Sequence, residues 1–162
     1  MRTRTVLTTG VAAAVLTVAL PLSAQARETE SISRSLFDST PERTVSSLRI
    51  DGPTAGPLGG ALDLTVTALD GSLPTVRGAT EPVEVTAVLT LSPGEVLTIT
   101  TTGEASVHPF GDVLTALAYF DKKDVTYEGT EHHKVKVVGD GLISAGQQWY
   151  GGQASVSATY AW

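Results

Sequence analysis

The chain has 162 residues, with 11 Lys and Arg against 17 Asp and Glu, a net charge of −6, and no cysteine. Such an acidic chain lacks the basic surface through which nucleic acids and anionic membranes are bound. Without thiols it can form neither a disulfide nor a thiolate zinc site. Burial has to supply the stability, and a domain of this size hides roughly two-thirds of its unfolded surface at about 25 cal/mol per Å² of apolar area.

Arg2 and Arg4 open the chain, an apolar run follows from Val6 to Leu20, and Ala24-Gln25-Ala26 supplies small residues where signal peptidase requires them. Residues 1–26 therefore read as a secretion signal peptide, cleaved before Arg27, and the mature protein is expected to be secreted and extracellular, with no membrane span. Losing the two arginines of the leader would shift the charge from −6 to −8. The next stretch, RETESISRSLFDSTPERT, has no clear helical or strand period and one apolar pair, Leu36-Phe37. Residues 27–43 are expected to be a flexible N-terminal arm, and residues 44–162 one β-sandwich domain.

A first strand is expected over Thr44 to Ile50, then a loop or hinge in DGPTAGPLGG at 51–60, where Gly and Pro break regular structure. ALDLTVTA at 61–68 alternates cleanly, sending Leu62, Leu64, Val66 and Ala68 to one face. Residues 69–82 carry turn chemistry, with room for a short edge strand around Thr75 to Arg77. VEVTAVLTL at 83–91 and VLTITTT at 96–102 are the clearest strands. The Ser92-Pro93-Gly94-Glu95 link between them suits a type II turn, whose twist fits a tight hairpin poorly. A wider hairpin or a crossing between sheets is therefore expected.

GDVLTALAYFDKKD at 111–124 fits two templates. Val113, Leu114, Leu117 and Phe120 suit a short helix with Asp112 as N-cap, whereas Leu114, Ala116, Ala118 and Phe120 suit a strand; the helix is preferred. Residues 125–141 read as a hairpin. ASVSATYAW reads as a terminal core strand with Ala154, Val156, Ala158, Tyr160 and Trp162 on one face, and Tyr119 and Tyr127 are assigned to the interior as well. Short strands between Gly/Pro turns, without βαβ alternation, make the fold class all-β: an antiparallel, immunoglobulin-like β-sandwich with room for one short helix.

Catalytic chemistry is hard to find in this sequence. It has no G-x-S-x-G and no cysteine, and Ser106 and His108, although on one side of an extended segment, are followed by Pro109 and lack an acidic orienter. In Glu131-His132-His133, neighbours on a strand point to opposite faces, so at most Glu131 and His133 could share an ion, and helical metal-ligand spacing is absent as well. Asp121-Lys122-Lys123-Asp124 and Asp140-Gly141 read as turns rather than calcium loops. No enzyme activity, metal or cofactor is expected. In GQQWYGGQ, Trp149 and Tyr150 lie beside Gln148 among glycines, a mixture that can stack and hydrogen-bond sugar rings. In the arm, Ile32, Leu36 and Phe37 are candidate partner-binding residues, because an extended segment with apolar side chains can add to another protein's sheet edge.

The PGE turn followed by VLTIT resembles turns of bacterial immunoglobulin-like domains. The whole arrangement, an Ala-rich leader, the polar arm RETESISRSLFDSTPERT and a compact cysteine-free β domain ending in a strand, resembles the small stalk subunits of actinobacterial umbrella toxin particles. Those subunits link a lectin-bearing subunit to a larger toxin-bearing one. The resemblance implies a non-enzymatic adaptor that joins other secreted proteins through its arm within an antibacterial toxin assembly. The alternative is a carbohydrate- or cell-wall-binding module built on Trp149, Tyr150 and Gln148. A third reading, a small hydrolase or protease inhibitor, rests on Arg34-Ser35 and Arg43-Thr44, which would suit a trypsin-like cleft.

Overall fold

The computed structural model describes residues 29–54, 60–92, 94–109, 113–130, 136–148 and 151–161. Residues 1–26, read above as a signal peptide, and Glu131-His132-His133, Trp149, Tyr150 and Trp162 lie outside them. The described strands, in chain order, are β1 (Thr29–Ser39), β2 (Glu42–Arg43), β3 (Ser47–Pro53), β4 (Ala61–Ala68), β5 (Thr80–Ser92), β6 (Glu95–Val107), β7 (Leu114–Phe120), β8 (Val125–Glu128), β9 (Lys136–Val137), β10 (Gly141–Gln148) and β11 (Gly151–Ala161). They hydrogen-bond into one sheet of order β1-β11-β10-β7-β6-β5-β4-β3-β2, with β8 beside β6 and β9 beside β11. Every strand pairing is antiparallel. Among the described residues no helix is long and apolar enough to cross a membrane.

The all-β expectation holds, but the described strands make one curled sheet, a half-barrel, where two packed sheets were expected. The curl brings its two ends together. A Cβ added to Gly52 on β3 would lie 3.8 Å from Leu36 on β1, and one on Gly152 of β11 would lie 3.3 Å from Ile50 on β3. The concave face is the core. Leu48, Ile50, Leu62, Leu64, Leu89, Leu97 and Ile99 line one wall, while Ala116, Ala118, Ala145 and Ala154 line β7, β10 and β11. Large side chains facing small ones let a strongly curved sheet fill its own interior at close-packed density.

The alternations at 61–68, 83–89 and 97–99 place their apolar residues inside as expected, and Ala154, Val156 and Tyr160 are buried on β11. Residues 114–120 are a strand and not the preferred helix. β7 buries Leu114, Ala116, Ala118 and Phe120 while Leu117 stays exposed, because the sheet needs a strand between β6 and β10. The β5–β6 link is also tighter than expected: Ser92 pairs with Glu95 and Gly94 has φ +83°. The register shift between Thr90 and Ser92 explains how it closes, since a bulge adds the strand twist that a type II turn lacks.

Three further expectations change. Asp51 to Pro53 belong to the β3–β4 hairpin, in which Pro53 pairs with Ala61 and Thr54 N–H donates to the Gly60 carbonyl at 3.1 Å, so this segment is not a hinge for the arm. Thr75 to Arg77 form no strand; the 69–79 loop is pinned instead by Leu73 N–H to Val45 O and Gly78 N–H to Val107 O, both 2.8 Å. Over 125–141 the two described strands do not pair with each other as a hairpin would require, because β8 goes to β6 and β9 to β11. Before β8 the chain makes a 3₁₀ turn at Lys122–Asp124, closed by a capping box: Lys123 N–H donates to Asp121 Oδ1 at 2.8 Å and Asp121 N–H to Asp124 Oδ2 at 2.9 Å.

Tyr160 is fully buried, and that burial pushes its phenol well above the ordinary value near 10. A raised value in the folded state means that the neutral phenol's contribution is complete below about pH 10 and is lost as pH rises beyond it. Tyr160→Phe is therefore expected to flatten the alkaline limb of a plot of unfolding free energy against pH. An unchanged slope above pH 10 would show that the phenol does not report on folding.

Candidate functional site

The segment expected to be a flexible arm is strand β1. It runs antiparallel to β11 from Thr29↔Ala161 to Ser39↔Gly152, with one irregularity between Leu36 and Ser39. Period-2 alternation explains why it docks. Ile32, Arg34 and Leu36 point into the curl and are buried, whereas Ser31, Ser33 and Phe37 face out and are exposed. Ser31 and Thr159 add an outward hydroxyl pair at 3.2 Å. Two of the three residues proposed to grip a partner, Ile32 and Leu36, are thus occupied by the chain's own core. Phe37 remains available, 64% exposed.

β1 ends the sheet on one side, so β11 takes up one of its two hydrogen-bonding edges and no described strand pairs with the other. The remaining edge strands offer far less backbone. β2 and β9 have two residues each, β8 has four, and residues 50–53 of β3 extend past β2, against eleven residues in β1. Short edges are one of the ways in which β proteins avoid unwanted strand pairing. Among the described residues β1 is the long edge left open.

The inner face of β1 carries one charge. Arg34 is 7% exposed and sits between Ile32 and Leu36, opposite Val156 on β11. Its Nη1 donates to the Ser33 carbonyl at 3.2 Å, while its Nε is buried without a hydrogen-bond partner. The ion pairs among the described residues centre on Arg49 and Lys123, and none reaches Arg34. Arg49 shows what a paired arginine looks like in this fold. On the outer face it grips Asp63 with two hydrogen bonds, at 3.0 and 2.7 Å, and has Asp51 and Glu42 within 3.7 Å. These carboxylates raise its pKa further above the ordinary arginine value.

The alternative sugar site is seen only in part. Gln148 ends β10, paired with Gly151, and Trp149 and Tyr150, which join β10 to β11, lie outside the described residues. Next to Gln148, Gln147 accepts a hydrogen bond from Arg43 Nη1 at 3.2 Å. Arg43 lines a cavity of about 850 Å³ together with Val45, Leu73, Pro74, Val107 and Leu114. Tyr119, assigned to the interior from sequence, points outward beside a groove of about 470 Å³ that also includes Glu84, Thr102, Asp121 and Asp140. Its position follows from β7 being a strand, which sends residue 119 to the face opposite Ala118 and Phe120.

Ser106 is half-buried on β6 and His108 is exposed beyond its end. Among the described residues no group of three or more His, Asp or Glu gathers as a metal site. Sequence reasoning considered Arg34 only for a trypsin-like cleft and missed its inward position on β1. The signal was present in the I-x-R-x-L alternation of residues 32–36, which the charge disguised as a polar stretch. No family model, curated protein or solved structure matches this chain.

Proposed function

We propose that this chain is a secreted, non-enzymatic adaptor that joins another extracellular protein along strand β1, by adding a partner strand to that strand's open edge. The observation that carries the reading is the contrast, among the described residues, between the eleven-residue open edge of β1 and the short edges elsewhere, with Phe37 displayed beside it. Added strands gain main-chain hydrogen bonds along their whole length, and an exposed aromatic gives a side-chain anchor. The joining element is thus the expected N-terminal segment, used as a docked strand instead of a loose tether. The sequence resemblance to stalk subunits of umbrella toxin particles suggests a linking role of this kind within an antibacterial assembly.

Phe37→Lys tests this reading. The side chain is largely in solvent, so the substitution should leave the melting temperature within a degree or two of wild type. A lysine on an edge strand also opposes strand addition. Partner capture from culture supernatant is expected to fall at least about tenfold, the effect of losing 1.4 kcal/mol at an anchor. Undiminished capture of the same partner would contradict the proposal.

A further inference from the structure

We infer that Arg34 selects the partner: the strand that adds to β1 carries a carboxylate, Asp or Glu, on its inward face opposite Arg34, flanked two residues away on each side by apolar residues. This rests on the edge-docking reading above and specifies its chemistry.

The argument begins with the cost of Arg34. A guanidinium nine-tenths buried, with its Nε unpartnered and no described carboxylate in reach, has lost most of its hydration without a counter-charge in return. The chain has 17 acidic residues with which to pair it and none of the described ones does. Arg49, with Glu42 opposite it on β2, Asp51 two residues along β3 and Asp63 diagonal on β4, shows that the fold readily builds such pairs. Arg34 is on an edge strand, one of whose two sides has no described strand paired to it.

Sheet geometry then fixes what that neighbour should be. Side chains directly opposite each other on adjacent antiparallel strands have Cβ atoms about 4.5–5.5 Å apart and interact pairwise, and opposite charges at that spacing attract. On β11 the position opposite Arg34 is taken by Val156, and those opposite Ile32 and Leu36 by Ala158 and Ala154. On the open side an incoming strand would put its own three inward residues opposite Ile32, Arg34 and Leu36. Apolar residues suit the first and third, and a carboxylate suits the second, because it can accept from Nε and Nη2 as a fork. An inward charge near an edge also excludes wholly apolar strands, so the same residue would reject unselected partners and admit an acidic one.

The probe is a pair of synthetic strand peptides, Lys-Thr-Val-Thr-Glu-Thr-Val-Thr-Lys and the same peptide with Gln in place of Glu, titrated against the folded protein with amide hydrogen exchange as the readout on β1. The Glu peptide is expected to bind at least about tenfold more tightly than the Gln peptide and to protect β1 amides that exchange freely in the unliganded protein. Arg34→Met should remove the preference, and Arg34→Lys should keep part of it. Equal binding of the two peptides with β1 protected would overturn the acid preference and leave edge docking in place. Binding of neither would overturn this inference outright and make Arg34 a guard against strand addition, while the docking reading is judged separately by Phe37→Lys. The wild-type comparison needs no variant to fold.

Discussion

Deleting residues 27–39 is expected to unfold the protein. If these residues were a loose arm, their removal would leave the melting temperature unchanged. As β1, they bury Ile32 and Leu36 and cover the inward side chains at the β11 end of the curl. Full burial of two such side chains amounts to about 1.5–3 kcal/mol each, before counting the pairing with β11 over nine register positions. The sum is comparable with the roughly 5–15 kcal/mol by which whole domains are stable. Deletion would also turn β11 into a long edge beside an opened apolar interior, a template for aggregation. Circular dichroism and thermal melts of the truncated protein should therefore show lost cooperativity or precipitation. A truncated domain melting within a few degrees of full length would refute the docked strand.

The second large effect is expected where Phe120 of β7 pairs with Gly141 of β10. The phenyl ring lies where a side chain on Gly141 would start, so a Cβ there would collide with three ring atoms. Phe120 is 2% exposed, and Phe120→Ala should cost about 3–5 kcal/mol through lost burial and the cavity left behind. The two sites are in contact, so they should be strongly non-additive. Gly141→Ala should destabilise the wild type but be tolerated far better in the Phe120→Ala background, where the space is vacant. Chemical denaturation of the four proteins of this cycle measures the coupling. Simple additivity would mean that the ring does not occupy that space.

The parts of the fold that were legible in the sequence are those where alternation was uninterrupted. Leu62 to Ala68 and Val83 to Leu89 could be assigned to one face because each inward residue is apolar and most outward ones are Thr, Asp or Glu. Over 113–120 the inward residues include two alanines, whose small contrast with Thr and Tyr let the helix template be preferred over the strand that forms. The strand is chosen by a vacancy between β6 and β10, a non-local fact that no short window contains. Likewise the 125–141 segment has strand chemistry at both ends, but which neighbour each end joins depends on how far the sheet has curled.

The candidate site was misread for a related reason. Ile32 and Leu36 were recognised as the apolar residues of the arm, yet the charge between them made the segment look too polar to fold. An inward arginine breaks the binary pattern on which strand recognition depends, so the residue that obscured β1 is also the one that gives the edge its proposed specificity. Phe37 was singled out as half of an apolar pair with Leu36. Adjacent residues on a strand face opposite ways, so the pair is divided between core and surface.

Site-resolved amide hydrogen exchange along residues 29–39 of the unliganded protein tests the central claim most directly. An edge strand hydrogen-bonded to β11 on one side only should show alternation, with slow exchange at amides that point to β11 and fast exchange at those that point away. Uniformly fast exchange over the whole segment would mean that β1 is not docked, and uniformly slow exchange would mean that its outer edge is already taken; either result would contradict the account.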